Sequence, residues 1–114
     1  MVISVRKLSE EDWEPWIGEG YSDASSLMMV SKTDAAAVSC RIIRLNPGGH
    51  TGMHSHDRIH HVLALEGVAV LETDTERIEL DHLTAVTVKT KVSHRFINKS
   101  NEVAIIQVLN IFRE

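Results

Sequence analysis

Hydrophobic and polar residues alternate along most of the chain, in short runs separated by turn-forming residues. A period of two residues is typical of strands that bury one face, and many short strands at close spacing indicate a sandwich or barrel. The last run is apolar at both odd and even positions, so we expect it to be covered on both faces. We predict strands at residues 26–31, 37–45, 61–66, 68–72, 76–80, 85–88, 92–98 and 103–112.

Turn signals separate these strands, and neither a linker nor an internal repeat interrupts them. The strongest signal, residues 46–49 (Asn-Pro-Gly-Gly), is expected to end the second strand. Near the N-terminus, Ser9 and Asp12 have the spacing of a capping box, and Pro15 limits any helix there to a turn or two. We therefore predict one all-β domain over residues 1–114, with a short N-terminal extension and a barrel core at about residues 37–112.

Composition narrows the class of protein. The 12 Lys and Arg residues are scattered among 16 Asp and Glu residues, which disfavours nucleic-acid binding. No apolar run approaches the roughly 20 residues that span a bilayer, and the N-terminus lacks a signal-peptide core, so we expect a cytoplasmic protein. Cys40 is the only cysteine and is expected to be a buried, inert thiol. Trp13 and Trp16 either anchor the N-terminal segment, the commoner arrangement, or line a binding site.

Histidine is enriched, with seven residues, five of them within residues 50–61. His54 and His56 face the same side of a strand, about 6.6 Å apart. His60 would lie about 13 Å beyond His56 in a straight strand, and it can share an ion with this pair only if the chain kinks at Asp57-Arg58.

After such a kink, His60, Val62, Ala64 and Glu66 share one face of the next strand, and His61 faces the other way. A helix would also pair His56 with His60, but the preceding Pro-Gly-Gly favours a strand. Further along the chain, His94 shares a face with Phe96 and Asn98. Two other histidines are not expected to bind metal, His82 because it lies in a surface turn and His50 because it is solvent-facing or at a pocket rim.

At these residues the chain resembles the cupin superfamily. The spacing of the first cupin motif is reproduced by Gly48, five residues, His54-Ser55-His56, three residues, His60, six residues and Gly67. His60 stands where most cupins carry glutamate. His94 and Asn98 match the last pair of the second motif. The rest of that motif is lost, since its two glycines and its proline are replaced by Leu83, Lys91 and Lys89.

The resemblance is strongest to small four-histidine cupins, and it implies a double-stranded β-helix, or jelly-roll barrel. It also implies a homodimer and one divalent transition metal ion, held by His54, His56, His60 and His94. Imidazole ligands suit Mn, Fe, Ni, Cu or Zn and leave the full divalent charge in place. The site is either closed and structural or open at two positions, as the resemblance implies. Glu66, Asn98 and backbone carbonyls are candidates to orient the ligands.

Several functions follow from such a site. The first is a metal-dependent oxygenase or related oxidoreductase acting on a small anionic or enolisable molecule. Alternatives are an isomerase or lyase, a non-catalytic sensor of a metal or small ligand, and a purely structural metal. Arg41, Arg44 and Arg95 are either exposed, which is the commoner case, or balance a substrate carboxylate. No general base stands out, and the residues expected to line the pocket are Val62, Ala64, Phe96 and Asn98.

Overall fold

The computed structural model describes residues 3–31, 33–34 and 37–112, so both ends of the predicted domain 1–114 lie outside the described residues. A 3-10 turn at Leu8–Glu10 precedes nine strands. All pairings between these strands are antiparallel, which confirms the predicted all-β class. The strands are β1 (Glu14–Pro15), β2 (Ser22–Val30), β3 (Val38–His50), β4 (Arg58–Glu66), β5 (Ala69–Thr73), β6 (Arg77–Leu80), β7 (Ala85–Val88), β8 (His94–Ile97) and β9 (Ala104–Phe112).

The strands form a nearly closed barrel of the predicted jelly-roll type. One sheet has the strand order β1-β2-β3-β9-β4-β7. The other has the order β6-β5-β8, and the end of β3 pairs with β8 at its edge. The two sheets enclose an aliphatic core in which Leu45, Leu80 and Val62 are completely buried. Within the described residues, no helix is long and apolar enough to cross a membrane.

The third strand does not end where the sequence predicted. It continues through residues 46–49 to His50, because these residues carry the chain from one sheet to the other. Up to Leu45, which pairs with Ala104, β3 lies beside β9, and at His50, which pairs with Ile97, it lies beside β8. Gly48 has a φ of 81°, which accommodates the change of direction. The Pro-Gly-Gly signal therefore marks a bend within a strand and not its end.

Two further expectations are corrected. The outer face of β9 is only half-buried, and Ile111 is 37% exposed, because the barrel covers β9 on its inner side alone. At the N-terminus, Lys7 precedes the 3-10 turn without a side-chain cap and Ser9 lies inside it, so the predicted capping box does not form. Cys40 is buried, as expected.

Candidate metal centre

Three histidine side chains converge between the two sheets. His60 lies on β4 and His94 begins β8, and both are buried, whereas His56 lies in the connection between β3 and β4. One ring nitrogen from each of the three lies within 4.8 Å of the others. Ligand nitrogens of a zinc ion lie about 2.0–2.1 Å from the metal, so modest side-chain rotations would bring the three rings onto a common ion.

A reversal of the chain makes this convergence possible. The segment before the reversal lies along β8, where the Thr51 N–H donates to the Phe96 carbonyl at 2.9 Å and the His56 carbonyl accepts from Lys91 at 2.7 Å. The chain then bends at Asp57 and enters β4 in the opposite sheet. This is the kink that the histidine spacing required at Asp57-Arg58. His60 therefore approaches His94 from across the barrel, with their ring centroids 4.8 Å apart.

His54 lies beside this group but outside it. Its ring centroid is 5.6 Å from that of His56 and 5.7 Å from that of Tyr21. Among the described residues, only His56, His60 and His94 have potential ligand atoms that all lie within 4.8 Å of one another. The structure thus brings three of the four predicted ligands together and places the fourth next to them.

The ring nitrogens of these histidines suit a cation. Burial, followed by nearby positive charge, lowers the pKa of His56 and of His60 to about 4, and burial also lowers the pKa of His94. All three rings are therefore neutral at physiological pH, the form that binds metal. The Val92 carbonyl accepts a hydrogen bond from Nδ1 of His94 at 2.8 Å, which leaves Nε2 for an ion.

His60 gives the clearest indication of a missing partner. Both of its ring nitrogens are buried, and neither forms a hydrogen bond of good geometry with a described residue. The Asn110 side chain nevertheless lies close enough to raise the pKa of His60, against the larger effect of burial. Asn110 lies directly opposite on β9, and its side-chain oxygen also forms no such hydrogen bond with a described residue. Buried polar atoms without partners are costly. The Asn110 oxygen is placed to accept from one ring N–H of His60, which leaves the other ring nitrogen for a metal. The donor set therefore fits the metal that the sequence predicts.

A cavity of about 340 Å³ opens onto the three histidines. This volume falls within the range of small-molecule sites. Of the residues expected to line it, Phe96 does so, whereas Val62 and Ala64 belong to the closed core next to it. The inward face of β4 was predicted correctly, but only its first part reaches the open end of the barrel.

Asn98 and Glu66 do not serve the roles expected of them. The Asn98 side chain is completely buried away from the cavity, where its amide donates to the Leu45 and Glu102 carbonyls at 3.0 and 2.6 Å. Glu66 is exposed at the end of β4 and lines a separate groove with Trp13. Of the candidates to orient a ligand histidine, the backbone carbonyl is therefore the one present, at Val92.

Sequence reasoning missed several residues of the cavity. Tyr21 and Arg58 line it and were not anticipated. Trp16, considered both as an anchor and as a lining residue, does both, since it packs against the core and lines the cavity. Arg58 was detectable, because it lies two residues before His60 on the same face of a strand. Tyr21 precedes the sequence-predicted strands, and no periodic signal placed it near the histidines.

The three arginines considered earlier have different environments. Arg41 lines the cavity, but Arg44 stacks near the Trp13 ring, 5.8 Å from its centroid, and Arg95 pairs with Glu72 at 2.7 Å. The remaining histidines lie outside the cavity. His82 is exposed, as expected, and His61, which was expected to face away from the ligands, is exposed as well. His50 is half-buried.

Comparisons with known proteins agree with the fold. Solved structures with similar folds include the polyketide cyclase RemF from Streptomyces resistomycificus, at 18% identity and a TM-score of 0.85, covering 99% of this chain and 81% of that one. A predicted oxalate decarboxylase from Thermotoga maritima matches at 19% identity and a TM-score of 0.86, covering 96% and 100%. A cupin-superfamily sugar phosphate isomerase from Silicibacter pomeroyi matches at 17% and 0.79, covering 96% and 76%.

At these identities the likeness concerns the fold alone. A search of curated proteins found no match. The cupin domain family, however, matches residues 41–112, which is more than half of the chain and contains all three converging histidines. The chain therefore belongs to the cupin family.

Proposed function

We propose that this cupin binds one divalent transition metal ion through His56, His60 and His94, with His54 as a fourth ligand. We further propose that it is a metal-dependent oxidoreductase of the dioxygenase type, acting on a small anionic or enolisable molecule. The observation that carries the metal proposal is the convergence of His56, His60 and His94, whose potential ligand nitrogens lie within 4.8 Å of one another with His60 and His94 buried. Neutral imidazoles suit Mn, Fe, Ni, Cu or Zn and add no negative charge to the site.

The cavity supports chemistry that depends on the metal. Bound there, the metal would act as a Lewis acid and stabilise negative charge on a coordinated oxygen. No carboxylate among the described residues lines the cavity, so none is available as a general base. Burial raises the pKa of Tyr21, which keeps its hydroxyl protonated and able to donate a hydrogen bond. A molecule that ionises or enolises easily suits these surroundings best.

The fold does not select the reaction. The similar structures described above are a cyclase, a predicted decarboxylase and an isomerase, and one barrel supports many chemistries. An isomerase or lyase and a non-catalytic binding protein are therefore alternative outcomes of the experiments below. The homodimer and the cytoplasmic location stay predictions, which light scattering and cell fractionation check.

Metal binding is tested with a matched pair of neighbouring histidines. His60→Ala removes a ring from the cluster, and His61→Ala removes an exposed ring from the adjacent position. Elemental analysis of the purified proteins is expected to find about one metal per chain in the wild type and in His61→Ala, and a clear loss in His60→Ala. Equal metal content in all three proteins contradicts the proposed site.

The reaction class is tested with the metal-loaded protein. Oxygen uptake is measured over a panel of diketones, phenols and keto acids, with product analysis by mass spectrometry. Oxygen-dependent turnover that disappears in His60→Ala supports the oxidoreductase. Conversion without oxygen uptake indicates the isomerase or lyase, and saturable binding without conversion indicates the non-catalytic protein.

A further inference from the structure

Two arginine side chains enter the cavity from different strands of one sheet. Arg41 on β3 lies opposite Val108 of β9, and Arg58 on β4 lies opposite Phe112 of the same strand. Both arginines line the cavity that contains the three histidines. The sheet thus concentrates like charges beside the proposed metal.

Arg41 is held in place by neutral groups. Its guanidinium carbon lies 4.4 Å from the centroid of the Trp16 ring, and Nη1 donates to the Ser26 hydroxyl at 3.3 Å. Burial lowers the pKa of Arg41, and Tyr21 and Glu14 oppose this effect from beyond ion-pair distance. A guanidinium carries five N–H donors, so most of those on Arg41 are available to a ligand.

Arg58 is less satisfied still. Its Nε atom is buried and has no hydrogen-bond partner among the described residues, and its guanidinium carbon lies 5.5 Å from the centroid of the Phe112 ring. Within the same part of the chain, neither Arg58 nor Arg41 forms an ion pair with a carboxylate. The ion pairs that the described residues do form involve Glu72 and Glu11, neither of which lines the cavity.

The uncompensated charge requires a negative partner. Partly buried cations without a counter-charge at ion-pair distance are costly, and a divalent metal in the same cavity would increase that cost. A bound anion would remove it and would gain charge-assisted hydrogen bonds. Because the cavity itself supplies no carboxylate among the described residues, the ligand has to bring the charge.

We propose that Arg41 and Arg58 form an anion subsite that binds the carboxylate of a small carboxylic acid with an apolar or aromatic body. Guanidinium groups match the planar carboxylate in pairs of hydrogen bonds. The ligand body would lie against the rings of Trp16, Tyr21 and Phe96, which line the same cavity. The inference that the same ligand also contacts the metal rests on the proposed function. The anion subsite itself does not depend on that function.

Isothermal titration calorimetry with benzoate, and with benzamide as its neutral counterpart, tests the subsite. Both probes are titrated into the metal-free protein and into the zinc-loaded protein. We expect benzoate to bind at least about tenfold more tightly than benzamide in the wild type, since charged hydrogen bonds distinguish them. Equal affinity for the two probes, or no detectable benzoate binding, overturns the proposal.

Variants then locate the subsite. Arg41→Gln and Arg58→Gln are each expected to weaken benzoate binding by about tenfold or more, and Arg58→Lys, which keeps the charge, by less. Arg44→Gln is the matched control, because Arg44 lies on the same strand as Arg41 but outside the cavity. Circular dichroism melting verifies that each variant is folded. An effect of Arg44→Gln as large as that of Arg41→Gln contradicts the assignment.

The outcomes separate this proposal from the metal proposal. Charge-dependent benzoate binding in a protein that takes up no metal supports the subsite and contradicts the metal site. Metal uptake without discrimination between benzoate and benzamide supports the metal site and contradicts the anion subsite. Tighter binding of inorganic phosphate than of benzoate would overturn the carboxylic acid class.

Discussion

His54 and His94 are joined by two backbone hydrogen bonds. The His54 N–H donates to the His94 carbonyl at 3.0 Å, and the His94 N–H donates to the His54 carbonyl at 2.8 Å. Residues directly opposite in an antiparallel pair place their side chains on the same face. The backbone therefore directs His54 toward the same side as a converging ligand, although its ring lies next to His56 and not within the group.

Replacing His54 is expected to weaken metal binding. If its ring turns toward the ion when metal binds, His54→Ala lowers the affinity for zinc by about tenfold or more, as loss of groups that support a metal commonly does. Met53→Ala, at the exposed neighbouring residue, is the control. Competition with a fluorescent chelator measures both affinities, and equal values for the two variants would show a three-histidine site.

Glu72 makes the folded state sensitive to acid. Hydrogen bonds from Arg77 and Arg95, at 2.6 and 2.7 Å, lower the pKa of this carboxyl from 4.5 to about 2, with a further contribution from Lys99. A lowered pKa means that the stabilisation is present above the unfolded value of 4.5 and is lost as pH falls toward about 2. We therefore expect the free energy of unfolding of the wild type to fall across this window.

Glu72→Gln is expected to remove that pH dependence and to lower stability near neutral pH. Urea unfolding at several pH values measures the effect, and added salt is expected to weaken it, because the Arg77 side chain is 72% exposed. Glu79→Gln is the control, since Glu79 forms no ion pair among the described residues. A Glu72→Gln protein with the acid sensitivity of the wild type would contradict this account.

Asn98 is expected to affect stability and not metal binding. Its amide donates to two backbone carbonyls, and its oxygen accepts from the backbone and the hydroxyl of Ser100 at 3.0 and 2.7 Å. Asn98→Ala leaves buried groups without partners, so we expect a loss of about 3 kcal/mol in the free energy of unfolding.

Asn101→Ala, at a nearby exposed residue, is the control for Asn98→Ala. Chemical denaturation measures the stability, and elemental analysis is expected to find the wild-type metal content in both proteins. Loss of metal from a folded Asn98→Ala protein would show that Asn98 supports the site.

Two glycines with positive φ are expected to differ in their tolerance of substitution. Gly48 and Gly67 have φ values of 81° and 68°, which cost a residue with a side chain roughly 1–2 kcal/mol. A Cβ at position 48 meets nothing within 4 Å, whereas one at position 67 would overlap the Val103 carbonyl. Gly48→Ala is therefore expected to destabilise by about 1–2 kcal/mol and Gly67→Ala by more. Denaturant midpoints compare the two, and similar values would contradict the predicted clash.

Much of the fold was predictable because strand faces are local properties. The sequence placed strands near all the observed ones except β1, and it assigned His60, Val62 and Ala64 to an inward face, which the burial of β4 confirms. It erred at residues 46–49, where turn-forming residues bend β3 between sheets without ending it. Local propensity identifies a change of direction, but whether pairing resumes depends on which strand lies beyond the bend.

The sequence by itself determined the residue types of the candidate site and the faces on which they lie, because side-chain alternation follows from the strand backbone. Only the tertiary structure decided that His56, His60 and His94 meet, that His54 lies beside them, and that Arg41 and Arg58 share their cavity. These relationships depend on how far two sheets lie apart and where the chain crosses between them. Such distances arise from the packing of strands that are remote in sequence, and no local pattern encodes them.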